Sequence, residues 1–186
     1  MNTQTKKGFT LIELLVVIAI LAVLATAVVI ILNPAQLVKQ GRDSTRVSDL
    51  SALHNALALF LSEVPNLNSW NASTTCTAAG ISPFSGAGNC SSFRVTSSTA
   101  VTGTGWVDTN FGRISSGSPL SRLPLDPVND TTNFYAYKTS STLLYEIDAK
   151  MESTKYSNGG AGDVESKDQG DNPNWYEIGN APGLNL

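Results

Sequence analysis

The chain has 186 residues, enough for one ordinary domain with an appended segment and too few for a large multidomain enzyme. Its 12 Lys and Arg against 15 Asp and Glu give a formal charge of -3, which excludes the basic, phosphate-facing surface of a general nucleic-acid binder. Charged residues make up only 15% of the chain, and the apolar ones are concentrated near the N-terminus.

From Phe9 to Leu32 runs FTLIELLVVIAILAVLATAVVIIL, in which Glu13 is the one charged residue and Thr10 and Thr26 are the other polar ones. At about 1.5 Å rise per residue such a helix crosses a bilayer core of about 30 Å. Lys6 and Lys7 precede it with no acid nearby, so the charge bias places the N-terminus on the cytoplasmic side and residues 33–186 outside. A cleaved secretory signal ending at Ala25-Thr26-Ala27 fits poorly, because the apolar run continues through Leu32 and exceeds the usual h-region of about 7–15 residues. Glu13 is a second objection: a carboxylate in such a span costs on the order of 2–3 kcal/mol at mid-membrane, and an ordinary anchor has no use for it.

The stretch Lys6-Lys7-Gly8-Phe9-Thr10-Leu11-Ile12-Glu13-Leu14 resembles the N-terminal processing signal of type IV prepilins and type II secretion pseudopilins. The resemblance implies that a membrane aspartyl peptidase cuts between Gly8 and Phe9, that the same enzyme methylates the new amino group of Phe9, and that the apolar helix is kept. It also implies the partners: the prepilin peptidase, further copies of the chain in a helical homopolymer, an inner-membrane platform with its assembly ATPase, and membrane lipid before assembly. No direct nucleic-acid contact is expected. Glu13 lies one helical turn after Phe9, so its carboxylate reaches the Phe9 amine of its own chain or of a neighbour. Among packed helices an unpaired carboxylate is costly, whereas one opposite a neighbour's amine is compensated, and this pairing would set the axial step. Such a head-to-tail contact generates a helical filament when its rotation does not close. The plain alternative for Glu13 is an interfacial carboxylate reaching back to water.

Residues 33–64 place Val47, Leu50, Leu53, Leu57, Phe60, Leu61 and Val64 at intervals of three or four, an amphipathic helix. Arg42, Asp43, Arg46, Asp49 and Ser51 lie before or between them, and Pro65 supplies a stop. One long helix from about Phe9 to Val64 is expected, with a kink or melted turn at Pro34 and a second weak point at Gly41. His54, the single histidine, has no metal-ligand pattern around it and reads as structural. No nucleophile-base set and no phosphate-binding glycine loop are present, so catalysis is not indicated.

Residues 65–122 are rich in Ser, Thr, Asn and Gly and read as a variable surface insertion, with strand-like pieces at Phe93–Thr96 and Gly105–Val107. Cys76 and Cys90 are the only cysteines, and a location outside the cytoplasm permits a bridge between them, the alternative being two buried thiols. Residues 123–186 offer two strands, Asn133–Lys138 and Thr142–Lys150, turning at Ser140 and Ser141. Their Phe134, Tyr135, Tyr137, Leu143, Tyr145 and Ile147 suit a sheet packed on the amphipathic helix. The fold class is therefore α+β: a long N-terminal helix, membrane-spanning and then amphipathic, packed on a small C-terminal antiparallel sheet. The segments are a leader 1–8, a membrane or filament-core helix 9–32, an amphipathic helix 33–64, the insertion 65–122, and the sheet with its acidic loop 123–186.

The order of long helix, Leu123-Pro-Leu-Asp126-Pro turn, paired strands and acidic tail resembles the major pseudopilin of type II secretion over residues 6–64 and 121–152. That family holds calcium in a comparable C-terminal loop, which makes Asp163, Glu165, Asp168 and Asp171 the ligand candidates. Their spacing is not that of an EF-hand, Lys167 stands among them, and a solvated acidic loop is the other reading. The expected function is that of a pilus subunit first lodged in the cytoplasmic membrane and then in an extracellular or periplasmic filament. The alternatives are a pseudopilin that drives export, and an anchored surface protein that never assembles.

Overall fold

The computed structural model describes residues 8–65, 67, 70–84 and 88–181; Lys6, Lys7 and the rest of the leader before Gly8 lie outside the described residues. The chain divides into two compact units, 1–38 and 39–186.

In the first unit, α1 spans Leu11–Leu32 and buries none of its residues. Its apolar residues surround the helix rather than forming one stripe, the pattern of a helix that meets lipid or other helices on all sides. Thr26, the polar residue in mid-span, donates its hydroxyl to the Ala22 carbonyl at 2.6 Å, so the helix satisfies it internally. The expected single helix is interrupted at one residue. Asn33 takes a left-handed conformation (φ 39) and ends α1, and Pro34 opens α2, Pro34–Glu63. Asparagine tolerates that conformation better than other residues, and proline suits a first helical position where its missing N–H is not needed. The Asn33 carbonyl accepts the Gln36 N–H at 2.9 Å, starting the new helix. Gly41 causes no break; α2 runs through it.

In the second unit, α2 presents Leu50, Leu53, Ala56, Leu57 and Phe60 to the core. It packs on a five-stranded sheet of order β2-β1-β3-β4-β5. The strands are β1 Ser73–Cys76, β2 Arg94–Val95, β3 Tyr135–Thr139, β4 Tyr145–Ala149 and β5 Tyr176–Gly179. All neighbours are antiparallel except β1 and β2, which run parallel. Tyr135, Tyr137, Tyr145 and Ile147 face α2, and two tyrosine hydroxyls tie sheet to helix: Tyr135 donates to Asp49 Oδ2 at 2.8 Å, and the Tyr145 oxygen lies 3.1 Å from His54 Nδ1. Phe134 lies in a second cluster with Cys76, Phe84, Cys90 and Trp175. Leu143 belongs to neither; it is exposed in the β3–β4 turn at φ 67.

The segment 65–122 is not a surface insertion alone. It supplies β1 and β2, and its Trp106, Val107, Phe111 and Ile114 are buried in the same core as α2. The Trp106 indole N–H donates to the Pro124 carbonyl at 2.8 Å, which fixes this segment to the Leu123–Pro127 turn. Gly105–Val107 forms no strand, because its residues serve as a buried plug beside α2 instead. Cys76 and Cys90 are bridged, closing the segment on the outer side of β1. A loop of that size contributes about 3 kcal/mol in the chain-entropy account.

Candidate functional site

The N-terminal residues come first in the chain. Gly8 and Phe9 are exposed, Phe9 at 91%, and a side-chain carbon added at Gly8 would meet nothing within 4 Å. Thr10 is the N-cap of α1 in extended conformation, and its hydroxyl accepts the Glu13 N–H at 3.3 Å. The Glu13 carboxylate reaches back to the Thr10 N–H and hydroxyl, both at 2.7 Å. This is a capping box, in which N-cap and N3 residues satisfy each other's free groups. Sequence reading weighed an amine or water as the partner of Glu13 and not the cap, for which the T-x-x-E spacing of Thr10 and Glu13 was the signal. The arrangement pre-forms the first turn and holds a carboxylate one turn from the Phe9 nitrogen, which is an amide in the uncut chain and an amine once the Gly8–Phe9 bond is broken.

The second feature is a buried ionic hub near the start of the globular unit. Arg46 is fully buried and forks onto Asp126, Nε to Oδ2 at 2.6 Å and Nη2 to Oδ1 at 2.8 Å. Its Nη1 donates to Asp43 Oδ1 at 2.8 Å, and Nη2 also meets Glu152 Oε1 at 2.6 Å. Arg42 pairs with the same Glu152 through Nε at 2.9 Å and Nη2 at 2.5 Å. Asp43 further accepts the Glu152 and Ser153 N–H groups, and Asp126 those of Val128 and Asn129. Burial pulls the Arg46 pKa down, but hydrogen bonds and charge from Asp126, with Glu152 and Asp43, hold it above its ordinary value. The Arg42 hydrogen bond, against burial and together with Arg46, holds the Glu152 carboxyl down at about 2. The Leu-Pro-x-Asp-Pro turn thus has a mechanical role: Asp126 hangs it on the helix.

The tail acids fall into two sets. Asp163 accepts the Gly159 and Ser166 N–H groups and the Ser166 hydroxyl; Glu165 accepts the Met151 and Asn158 N–H groups. Both shape the 150–168 loop, and the Ser166 hydroxyl and N–H, then the Gly159 N–H, hold Asp163 at about 2. Asp168 accepts from Gly170 and Glu177 N–H groups. Among the described residues, the trio whose carboxylate oxygens come within 4.8 Å of one another is Glu146, Asp171 and Glu177; Asp163, Glu165 and Asp168 are not in it. Glu146 and Glu177 were not singled out from the sequence.

No curated protein and no solved structure matches the chain significantly. Residues 3–29 match the family described as the prokaryotic N-terminal methylation motif, a match confined to the leader and most of α1. That motif implies processing by the prepilin peptidase and assembly into a pilus-type filament, and α1 is long and apolar enough to cross a membrane. With its exposed Gly8–Phe9 junction, capped Glu13 and fully unburied apolar helix, the chain carries the prepilin-type cleavage and methylation signal of the type IV pilin and pseudopilin family.

Proposed function

We propose that this chain is the structural subunit of a type IV pilus-like filament. It enters the cytoplasmic membrane with its N-terminus inside, is cut after Gly8 and methylated at Phe9, and is then extracted by the platform and ATPase into a helical polymer. The observation that carries the reading is α1: none of its 22 residues is buried in the chain's own fold, yet it follows a processing motif that retains it. Such a helix needs a partner surface, first lipid and then other copies of itself. In the polymer, Glu13 of one copy faces the Phe9 amine of the next. The subunit is a building block rather than an enzyme; His54, the one histidine, is spent on Tyr145, and burial lowers its pKa.

A second reading is a pseudopilus that drives protein export, and it is favoured by the Leu123–Pro127 turn that Asp126 fastens to Arg46. Mass spectrometry of N-terminal peptides separates the two. A peptide starting at methylated Phe9, abundant in sheared surface material, is expected for the pilus; the same peptide confined to membranes indicates the pseudopilus. An uncut start, or a start near Val28, refutes both. Glu13→Ala should abolish assembly while the globular unit stays folded, and normal filaments from that variant would make the chain's Glu13 pairing wrong.

A further inference from the structure

The segment 150–167 carries three lysines, Lys150, Lys155 and Lys167, and three acids, Glu152, Asp163 and Glu165, so by composition its charges cancel. The fold separates them. Glu152 is held by Arg42 and Arg46, Asp163 accepts the Gly159 and Ser166 N–H groups, and Glu165 accepts those of Met151 and Asn158. Asp163 and Glu165 are only 7% and 4% exposed. The lysines do not follow the acids inward: Lys155 and Lys167 are exposed and Lys150 is half-buried, as is Lys39 near the start of α2. Among the described residues none of these four lysines is in a salt bridge, whereas Arg42 and Arg46 are committed to the hub and Lys138 lies over the Phe84 ring. An inner layer of bonded acids thus backs an outer layer of solvated lysines.

Hydrogen bonds fix where this layer lies. Asp43 accepts the Glu152 and Ser153 N–H groups at 2.9 and 2.8 Å, Arg42 pairs with Glu152, and the Ser44 hydroxyl lies 3.4 Å from the Tyr156 phenol oxygen. The segment is therefore fastened to α2 one turn beyond Lys39, at the end of the globular unit that follows α1 in the chain. Chain length alone keeps Lys39 within about 25 Å of Leu32, the last residue of α1. Lys155 stands on an ordered support: its Nζ lies 4.8 Å from the Tyr156 ring centroid, and its carbonyl accepts the Gly162 N–H at 2.9 Å. A side-chain carbon at Gly160 would overlap that carbonyl, so glycine lets the loop close on it. Asp130 is an exposed acid near the same hub, its carboxylate already accepting the Thr132 and Asn133 N–H groups.

We propose that Lys39, Lys150, Lys155 and Lys167 form a docking surface for the anionic phospholipid headgroups of the membrane that α1 spans, engaged before the subunit is extracted. The inference rests on α1 lying in a bilayer. Lysine suits this partner: its ammonium is a compact, hydrated point charge on a long stem, able to follow a fluid layer of phosphates that offers no fixed geometry. A planar, two-pronged contact would call for arginine, and both nearby arginines are spent on carboxylates of the chain itself. Tyr156, set beside Lys155, is the kind of amphipathic ring that collects at headgroup level. The attraction of juxtamembrane lysines to anionic lipid is additive and fades within a Debye length, so only a unit held close to the surface by its chain can use it. The contact rests the globular unit on the membrane, and extraction has to break it.

The test places the full chain in nanodiscs of phosphatidylcholine, with or without about 30% phosphatidylglycerol. A nitroxide on Asn158→Cys, exposed and three residues from Lys155, or on Ser141→Cys in the exposed β3–β4 turn, reports access to a water-soluble nickel complex by electron paramagnetic resonance. Access at 158 should fall at least about twofold in the anionic discs and recover in about 0.5 M salt, with 141 unchanged. Lys155→Gln combined with Lys167→Gln, both exposed changes that spare the core, should restore access at 158 in anionic discs. Equal access in the two lipids, shielding that survives the double substitution or high salt, or equal shielding at 141 would overturn the assignment. Shielding that also appears in neutral discs and grows with the number of chains per disc would give the surface to a second copy instead and overturn it too. A chain that stays out of the discs altogether would refute the membrane reading, and this proposal with it.

Discussion

Replacing Arg46 by Met tests whether the globular unit hangs on its ionic hub. The methionine keeps much of the aliphatic stem but leaves Asp43 and Asp126 buried, at 0% and 4% exposure, facing each other and Glu152 without the guanidinium. Breaking a buried ion pair on one side costs about 3–5 kcal/mol, because the stranded charges stay desolvated. The Asp43 and Asp126 backbone donors soften this without removing it. Urea unfolding followed by the fluorescence of Trp70, Trp106 and Trp175 should therefore lose that amount at neutral pH, with little change in slope. Arg46→Lys keeps the charge and loses the two-pronged contact with Asp126, so an intermediate loss of about 1–2 kcal/mol is expected. A double-mutant cycle of Arg46→Met with Asp126→Asn should return a coupling of at least about 1 kcal/mol. A loss below about 1 kcal/mol for Arg46→Met would mean that the hub behaves as a surface pair, and would refute the reasoning.

Acid should release one arm of the same hub. Glu152 has its folded pKa depressed to about 2, below the ordinary 4.5, so the unfolded chain binds more protons between these values and stability is lost as pH falls through that window. The stability difference between the native chain and Glu152→Gln should be full above pH 5, reach up to about 3 kcal/mol, and vanish near pH 2; a difference independent of pH would contradict it. Cys76→Ser with Cys90→Ser should lower stability by about 3 kcal/mol with the core spectra preserved, and an unchanged urea midpoint would show that the loop gains nothing from closure. Gly105→Ala should cost about 1–3 kcal/mol, since the added carbon overlaps the Ala100 carbonyl and a Leu123 methyl group; thermal unfolding unchanged within error would show that this contact can yield.

What could be read from the sequence follows from how local each signal is. The processing motif is nine contiguous residues, the membrane helix is composition and length, and the core stripe of α2 is a period of three to four. Even Thr10 and Glu13 carry a capping signature that spans four positions. The misreadings lie where residues far apart in the chain meet. Asp43 and Arg46 continue the buried stripe of Leu50, Leu53 and Leu57 at the same spacing, but only Asp126, 80 residues on, and Glu152 make it possible to bury them. The segment after residue 65 reads as polar and variable, yet its few large residues, Trp106, Phe111 and Ile114, are the ones that close the core.

The β4 sequence shows the same limit most sharply. Tyr145-Glu-Ile-Asp-Ala149 alternates as a strand with one wet face would, and the burial of its Ile147 with Tyr135 and Tyr137 of β3 fits that reading. Yet all five of its residues are buried, and the face away from α2 is covered too: Cys76, Phe84, Cys90 and Trp175 pack with Ala136 of the neighbouring β3, and the loop 168–172 bonds to Glu177, which pairs with Asp148. The acids of that face were therefore placed in the interior by segments with little apolar content of their own. A covering loop with so little hydrophobic surface must be held by something else: a disulfide on one side, and on the other the Asp168 and Glu177 hydrogen bonds around a cluster of negative charge. The bridge and the acid cluster thus serve one end, the sealing of a polar sheet face. If these hydrogen bonds hold the loop, Asp168→Ala should loosen 168–172 while the Arg46 hub and the α2 face of the sheet keep their protection against hydrogen exchange. Uniform loosening of the whole unit would mean that the outer face is not a separate element, and unchanged protection in the variant would mean that the loop is not held by Asp168.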